Sequence, residues 1–181
     1  ALTLRRTELA AHLDLDARVE TFLGQMHQAR ERVADWPIEA EGFAALEGGL
    51  RKTYRRGRRA MAHAYENPSP KTFHEWRKRV KYHWYHVRLL EGSWPLVLQA
   101  RGEALDHLSD LLGDDHDLAL LGETLHAEPE RFHRLRGLPA FLALLEQRRA
   151  ELETQARPLG LRLFADKPDA LGRRFEACWD G

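Results

Sequence analysis

The chain has 181 residues, 43% of them apolar, and a formal net charge of zero. That length suits one substantial core, or one domain with a fragment of another, and the Leu- and Ala-rich apolar content argues against disorder. The single Cys178 excludes an intramolecular disulfide and points to a reducing, cytoplasmic setting, while no apolar run reaches the length of a membrane span.

The periodicity is helical nearly throughout, without sustained two-residue alternation or a hairpin turn signal, which predicts an all-α antiparallel bundle. A first helix is expected near residues 4–35. The chain begins with Ala inside this helical stretch, as a processed or excised piece of a longer protein would, and shows no signal-peptide pattern. Residues 1–40 are read as an N-terminal helix and 41–181 as the bundle proper.

The second helix, near 40–66, carries two rows. Phe43, Leu46, Leu50, Tyr54, Gly57 and Met61 make a core-facing row, with Gly57 permitting close approach of a neighbour. Lys52, Arg55, Arg56, Arg59 and His63 make a basic row beside it. The linker Asn67–Thr72 starts the next helix either at Ser69, with Pro70 in the first helical position, or at Thr72, paired with Glu75 in a capping box.

The third helix, near 70–92, divides at 100° per residue. His74, Arg77, Lys78, Lys81, Tyr85 and Arg88 form a polar stripe, opposite an apolar stripe of Phe73, Trp76, Val80, Trp84, Val87 and Leu90. Between Arg51 and Arg88 stand 12 Lys and Arg against only Glu66 and Glu75, a net charge of +10. Like charges at helical spacing cost a few tenths of a kcal/mol per pair, about what a multivalent anion would relieve. Eight of the 12 are Arg, which suits bidentate phosphate recognition. His74 is expected to add charge as pH falls. Two basic rows on consecutive antiparallel helices are expected to meet in one groove.

A fourth helix near 94–126, bent at Gly113, carries the opposite charge. From Glu103 to Glu130 there are nine acids and no Lys or Arg. Asp106, Asp110, Asp114 and Asp117 follow helical spacing and read as a solvated face, as partners of the basic helices, or as oxygens for a hard cation. Helices near 137–165 and 167–179 complete the chain, with prolines confined to boundaries. His126 and His133 read as surface residues, and Cys178 beside Trp179 as a packed or idle thiol.

These features favour capture of a linear polyanion over solvated faces offset by the acidic block. RNA or DNA binding on the same surface is the rival, although only Tyr82, Tyr85 and Tyr54 are candidates to stack on bases. His116-Asp117 also matches the dipeptide of HD-type metal phosphohydrolases. The competing account makes Asp114, Asp115 and Asp117 caps of a helix restarting after Gly113, or Asp117 a support for a basic residue.

His74-Glu-Trp-Arg-Lys-Arg-Val-Lys81, with Tyr85 and Leu89-Leu90 downstream, resembles the signature helix of the CHAD family, the conserved-histidine α-helical domain. Leu112-Gly113 followed by Asp117-Leu118 is similar to its second hallmark, Arg51–Arg59 to its basic helix, and Leu159–Ala165 to its closing segment, so the resemblance covers about residues 45–175. It implies two bundle-like halves with basic helices lining a cavity, and non-catalytic binding of inorganic polyphosphate, often on granules. It also implies fusion, in some members, to a triphosphate-tunnel domain. Carried over by residue, the anion contacts are His74, Arg77, Lys78 and Lys81, then Arg51, Arg55, Arg56 and Arg59. Lys52 and Arg88 join them from the same two rows. The family's first half bears its own His-x-x-Arg basic helix, and residues 1–40 are read as lacking one, since His12 and His27 are taken to be without that flanking pattern. A truncated or shortened member follows, its cavity wall incomplete or supplied by a second copy in a homo-oligomer.

Overall fold

The structure, a computed structural model, describes residues 3, 6, 7, 10, 14–37, 39–132 and 137–179. His12 and His133 lie outside them. The chain divides into two units, residues 1–41 and 42–181. In the first, α1 (Leu15–Val33) starts at Asp14, whose carboxylate accepts the Ala17 N–H at 3.1 Å. Leu15, Val19, Phe22, Met26 and Val33 share one side of α1, and all five are exposed.

The second unit contains α2 (Ala44–Glu66), α3 (Pro70–Leu89), a 3₁₀ turn (Glu91–Ser93), α4 (Pro95–Ala127), α5 (Pro129–Phe132), α6 (Leu138–Leu163) and α7 (Pro168–Trp179). Among the described residues every regular element is helical, so the expected all-α class holds. No described helix is long and apolar enough to cross a membrane.

The α2–α3 linker settles both capping alternatives on one residue. Ser69 Oγ accepts the Thr72 N–H at 3.2 Å, and Thr72 Oγ1 accepts the Ser69 N–H at 3.0 Å, with Pro70 at the first turn. Glu75 is left free for other partners. This tight entry turns α3 back along α2. Helix α4 then reverses along α3, and α6 reverses along α4, while α7 packs on α2. Two tyrosine hydroxyls close the bundle by donating to α6 carbonyls: Tyr54 to Leu163 at 3.3 Å and Tyr65 to Glu153 at 2.8 Å.

The core forms where the apolar rows face inward. Leu50, Tyr54 and Met61 from α2 meet Phe73, Trp76, Val80 and Val87 from α3, with Leu105, Leu108 and Leu112 from α4. Leu46 and Trp84, expected in these rows, are only half-buried at the rim. A smaller cluster of Leu125, Phe132 and Leu145 lets α5 roof the far end.

Two glycines mark where elements touch. A Cβ at Gly57 would lie 2.5 Å from the Phe164 ring, so the close approach expected there is made by an aromatic side chain. At Gly160 a Cβ would lie 2.6 Å from Trp76 and 3.0 Å from Met61. Gly160→Ala would gain up to about 1 kcal/mol of helix propensity and incur about 1–3 kcal/mol of overpacking. The clash wins because Trp76 is fully buried and has nowhere to move. We expect a net loss of about 1–2 kcal/mol in denaturant unfolding; unchanged or higher stability would contradict this packing.

Three expectations need correction. Helix α4 runs through Gly113 without a break, so Asp114, Asp115 and Asp117 sit in its interior and cap nothing. Pro158 lies inside α6, not at a boundary; its ring removes the N–H that would bond the Thr154 carbonyl, and packing on both sides carries the helix past it. Helix α3 stops at Leu89 and yields to the 3₁₀ turn before Pro95.

Candidate anion-binding site

The two sequence motifs, far apart in the chain, meet at the α3–α4 contact. The His74 and His116 rings stack with centroids 4.2 Å apart, tilted by 35°. One turn along α3, the Arg77 guanidinium lies on Gly113, where a Cβ would stand 3.4 Å from its Nε. The Leu-Gly pair is thereby explained: Leu112 fills the core while Gly113 leaves room for the arginine. His74 Nδ1 and Arg77 Nε are both buried without a hydrogen-bond partner. Burial, then His116, Lys78 and Arg77, hold the His74 imidazole below its ordinary value, with Glu75 opposing. His74 therefore adds its charge only at lower pH than a free imidazole would. In the unliganded protein it is neutral near pH 7.

Farther out on α3, Lys78 Nζ is 2.7 Å from Glu75, which also draws Arg79 at 3.8 Å. Both contacts are within one helix and half-exposed, so they hold the lysine only weakly. Lys81 has no ion pair among the described residues. Its neighbour Tyr85 is exposed.

On α2, Lys52, Arg55, Arg56 and Arg59 are all exposed and have no ion pair among the described residues. At 100° per residue they point away from the side that buries Leu50, Tyr54, Gly57 and Met61. His74 and Arg77 turn instead toward α4. The basic rows therefore form an outer face of α2 and a seam between α3 and α4, and the anticipated common groove is not what these contacts build. The cause is the antiparallel pairing itself: the α2–α3 seam is filled by Tyr54, His83, Tyr65, Phe73 and Trp76.

Two predicted contacts have other work. Arg51 bonds Glu47 at 3.1 Å and Asp169 of α7, and its stem rests against Gly172, so it is a strut between α2 and α7. Asp169 is the main cause holding its guanidinium above the ordinary value. Arg88 lies over the Trp84 ring at 5.1 Å, in a cleft it shares with Glu91, Glu103 and Asp106. Those carboxylates repel an anion there.

His83, one of the four histidines of the basic segment, is fully buried. Arg101 donates to its Nε2 at 3.2 Å and to the Leu163 carbonyl at 2.7 Å. An imidazole accepting from arginine is neutral, and burial followed by Arg101 pushes it well below its ordinary value. Charge patterning missed this, because a histidine on the core side reads like any other until its neighbours are known.

The acidic helix does not neutralise the basic one. Asp106, Asp110, Asp114 and Asp117 are exposed, and among the described residues none forms an ion pair with α3. Asp115, 1% exposed, turns the other way and accepts from Arg149 Nε of α6 at 3.0 Å. No group of three or more His, Cys, Asp or Glu among the described residues could hold a metal ion. With His116 stacked on His74 and Asp115 engaged by Arg149, the His116-Asp117 dipeptide has no converging ligands among the described residues.

The CHAD domain family model matches residues 2–126. No curated protein and no solved structure matches the chain. The matched span begins well before the resemblance noted from the motifs and ends before Leu159–Ala165. It takes in α1, where His27 and Arg30 stand in His-x-x-Arg spacing; the reading that residues 1–40 lack this pattern was mistaken. The stacked histidines and the glycine-seated arginine thus fall inside the matched span, and the chain belongs to the CHAD family.

Proposed function

We propose that this chain binds inorganic polyphosphate without catalysis, using the α3–α4 seam (His74, Arg77, Lys78, Lys81) and the outer α2 face (Lys52, Arg55, Arg56, Arg59). In a cell this would place it in the cytoplasm, on polyphosphate granules. The observation that carries the reading is the absence of ion pairs between these cations and the acids of α4 among the described residues. Cations gathered at helical spacing repel one another, and an external multivalent anion relieves that repulsion. Membership of the CHAD family agrees with association with polyphosphate.

Nucleic acid is the weaker candidate on this surface. Tyr54 is fully buried and Arg79 lies over the Tyr82 ring at 5.7 Å, which leaves Tyr85 as an open stacking face. One aromatic is a poor platform for successive bases. Competition between polyphosphate and single-stranded RNA at fixed salt tests this: displacement of polyphosphate by an equal charge concentration of RNA would favour the rival.

Arg51 provides an internal control. Because Glu47 and Asp169 already occupy it, Arg51→Gln should leave polyphosphate affinity within about twofold of the parent. A loss as large as that from a seam residue would return Arg51 to the site.

A further inference from the structure

The stacked imidazoles deepen the polyphosphate reading and rest on it. Two rings 4.2 Å apart cannot both carry charge without strong mutual repulsion. Every basic group near them makes the problem worse. From α3, Arg77 and Lys78 face His74, with Glu75 as the single opposing charge. From α4 comes His116 itself; Asp115, which interacts electrostatically with it, is committed to Arg149 from α6, while Asp110, Asp114 and Asp117 are exposed and form no ion pair with α3 among the described residues. His74 Nδ1 has no acceptor of its own. An imidazolium has two N–H groups to satisfy, so in the empty seam His74 stays neutral.

A phosphate chain lying against Arg77 and Lys78 reverses that balance. Its oxygens supply the acceptor that His74 Nδ1 lacks and add negative charge to the little that Glu75 provides there. We propose that the His74–His116 pair takes up a proton from solvent when a phosphate chain enters the α3–α4 seam, so that the charge needed to hold the anion is created by its arrival. His116 thereby becomes a binding residue, and the histidines act as a pH-dependent grip. The free seam would discriminate against monovalent anions, which bring too little charge to protonate the pair. Affinity for polyphosphate should strengthen as pH falls, by up to about tenfold per pH unit where binding takes up one proton.

The test is calorimetric titration of the full chain with inorganic polyphosphate of fixed length, at pH 7, in buffers of different ionisation enthalpy. We expect uptake of about one proton per bound seam. In His74→Gln, uptake should fall close to zero with the salt dependence largely retained; His116→Gln should lose at least about half of it. Binding with the same heat in every buffer would overturn the proposal while leaving polyphosphate binding intact. Undiminished uptake in both variants would also overturn it, by placing the proton elsewhere. Absence of any binding would refute the polyphosphate assignment and the inference together. The wild-type proton count decides the matter even if a variant fails to fold.

Discussion

Replacing Arg149 by methionine should cost about 3–5 kcal/mol of stability, the largest single effect expected outside the aromatic core. Arg149 is 7% exposed and holds three carboxylates: Asp115 at 3.0 Å, Glu146 at 3.0 Å and Glu153 at 3.7 Å. Methionine keeps much of the stem's packing and removes the charge. Asp115, already with one oxygen unpartnered, would be left as a buried anion. It would then have to protonate or draw water in, and either route weakens the α4–α6 contact. Pairing the change with Asp115→Leu should recover most of the loss, because the one fully buried carboxylate goes with its partner, while Glu146 is exposed and Glu153 half-buried. Urea unfolding of the single and double variants measures this. A single-variant loss under about 1 kcal/mol would show that the network is incidental.

The same cluster carries a proton. Burial, and then Asp115, raise the Glu153 carboxyl to about 7. Its folded value exceeds the unfolded one, so its stabilising contribution is present at acid pH and is lost as pH rises through 7. Stability should drop by on the order of 2–3 kcal/mol between pH 5 and pH 8, and Glu153→Gln should flatten that slope.

Neutralising Arg77, Lys78 and Lys81 together should lower polyphosphate affinity by about 100-fold or more at moderate salt, taking 1.5–3 kcal/mol for a single charge-assisted contact and less for exposed ones. Thermal stability should change little. Among the described residues the three side chains make only one ion pair, Lys78 to Glu75, and none of them fills the core. In the parent, raising salt from 50 to 200 mM should weaken binding by about 100-fold if some five cations release counterions. The triple variant should show a shallower salt dependence. Equal losses of affinity and melting temperature would instead mean that these cations hold the bundle together.

Much of this architecture was legible before any coordinates. Helical periodicity assigned the faces of α3 correctly: Phe73, Trp76, Val80 and Val87 are buried, and Lys78 and Lys81 stay partly exposed. Proline and serine chemistry marked the start of α3, with Ser69 emerging as the cap only once both hydrogen bonds were seen. What periodicity cannot supply is the identity of the neighbour. A stripe tells which side of a helix is polar, and nothing about which helix lies against its edge. Arg51 therefore looked like an anion contact until Asp169, 118 residues away, appeared beside it. His116 looked like half of a metal dipeptide until His74 was found stacked on it. Asp115 and Arg149, 34 residues apart, carry no local signal that they are partners. The expected shared groove failed for the same reason, since the row on α3 was assigned to α2 when its inner members belong to α4.

The most direct measurement is titration with phosphate oligomers of increasing length, following affinity and the mass of each complex at constant ionic strength. If unpaired cations on α2 and α3 hold a linear polyanion, affinity rises steeply with chain length and levels off once the oligomer spans the available charges. Affinity independent of length, or as strong for orthophosphate as for long chains, would contradict the account.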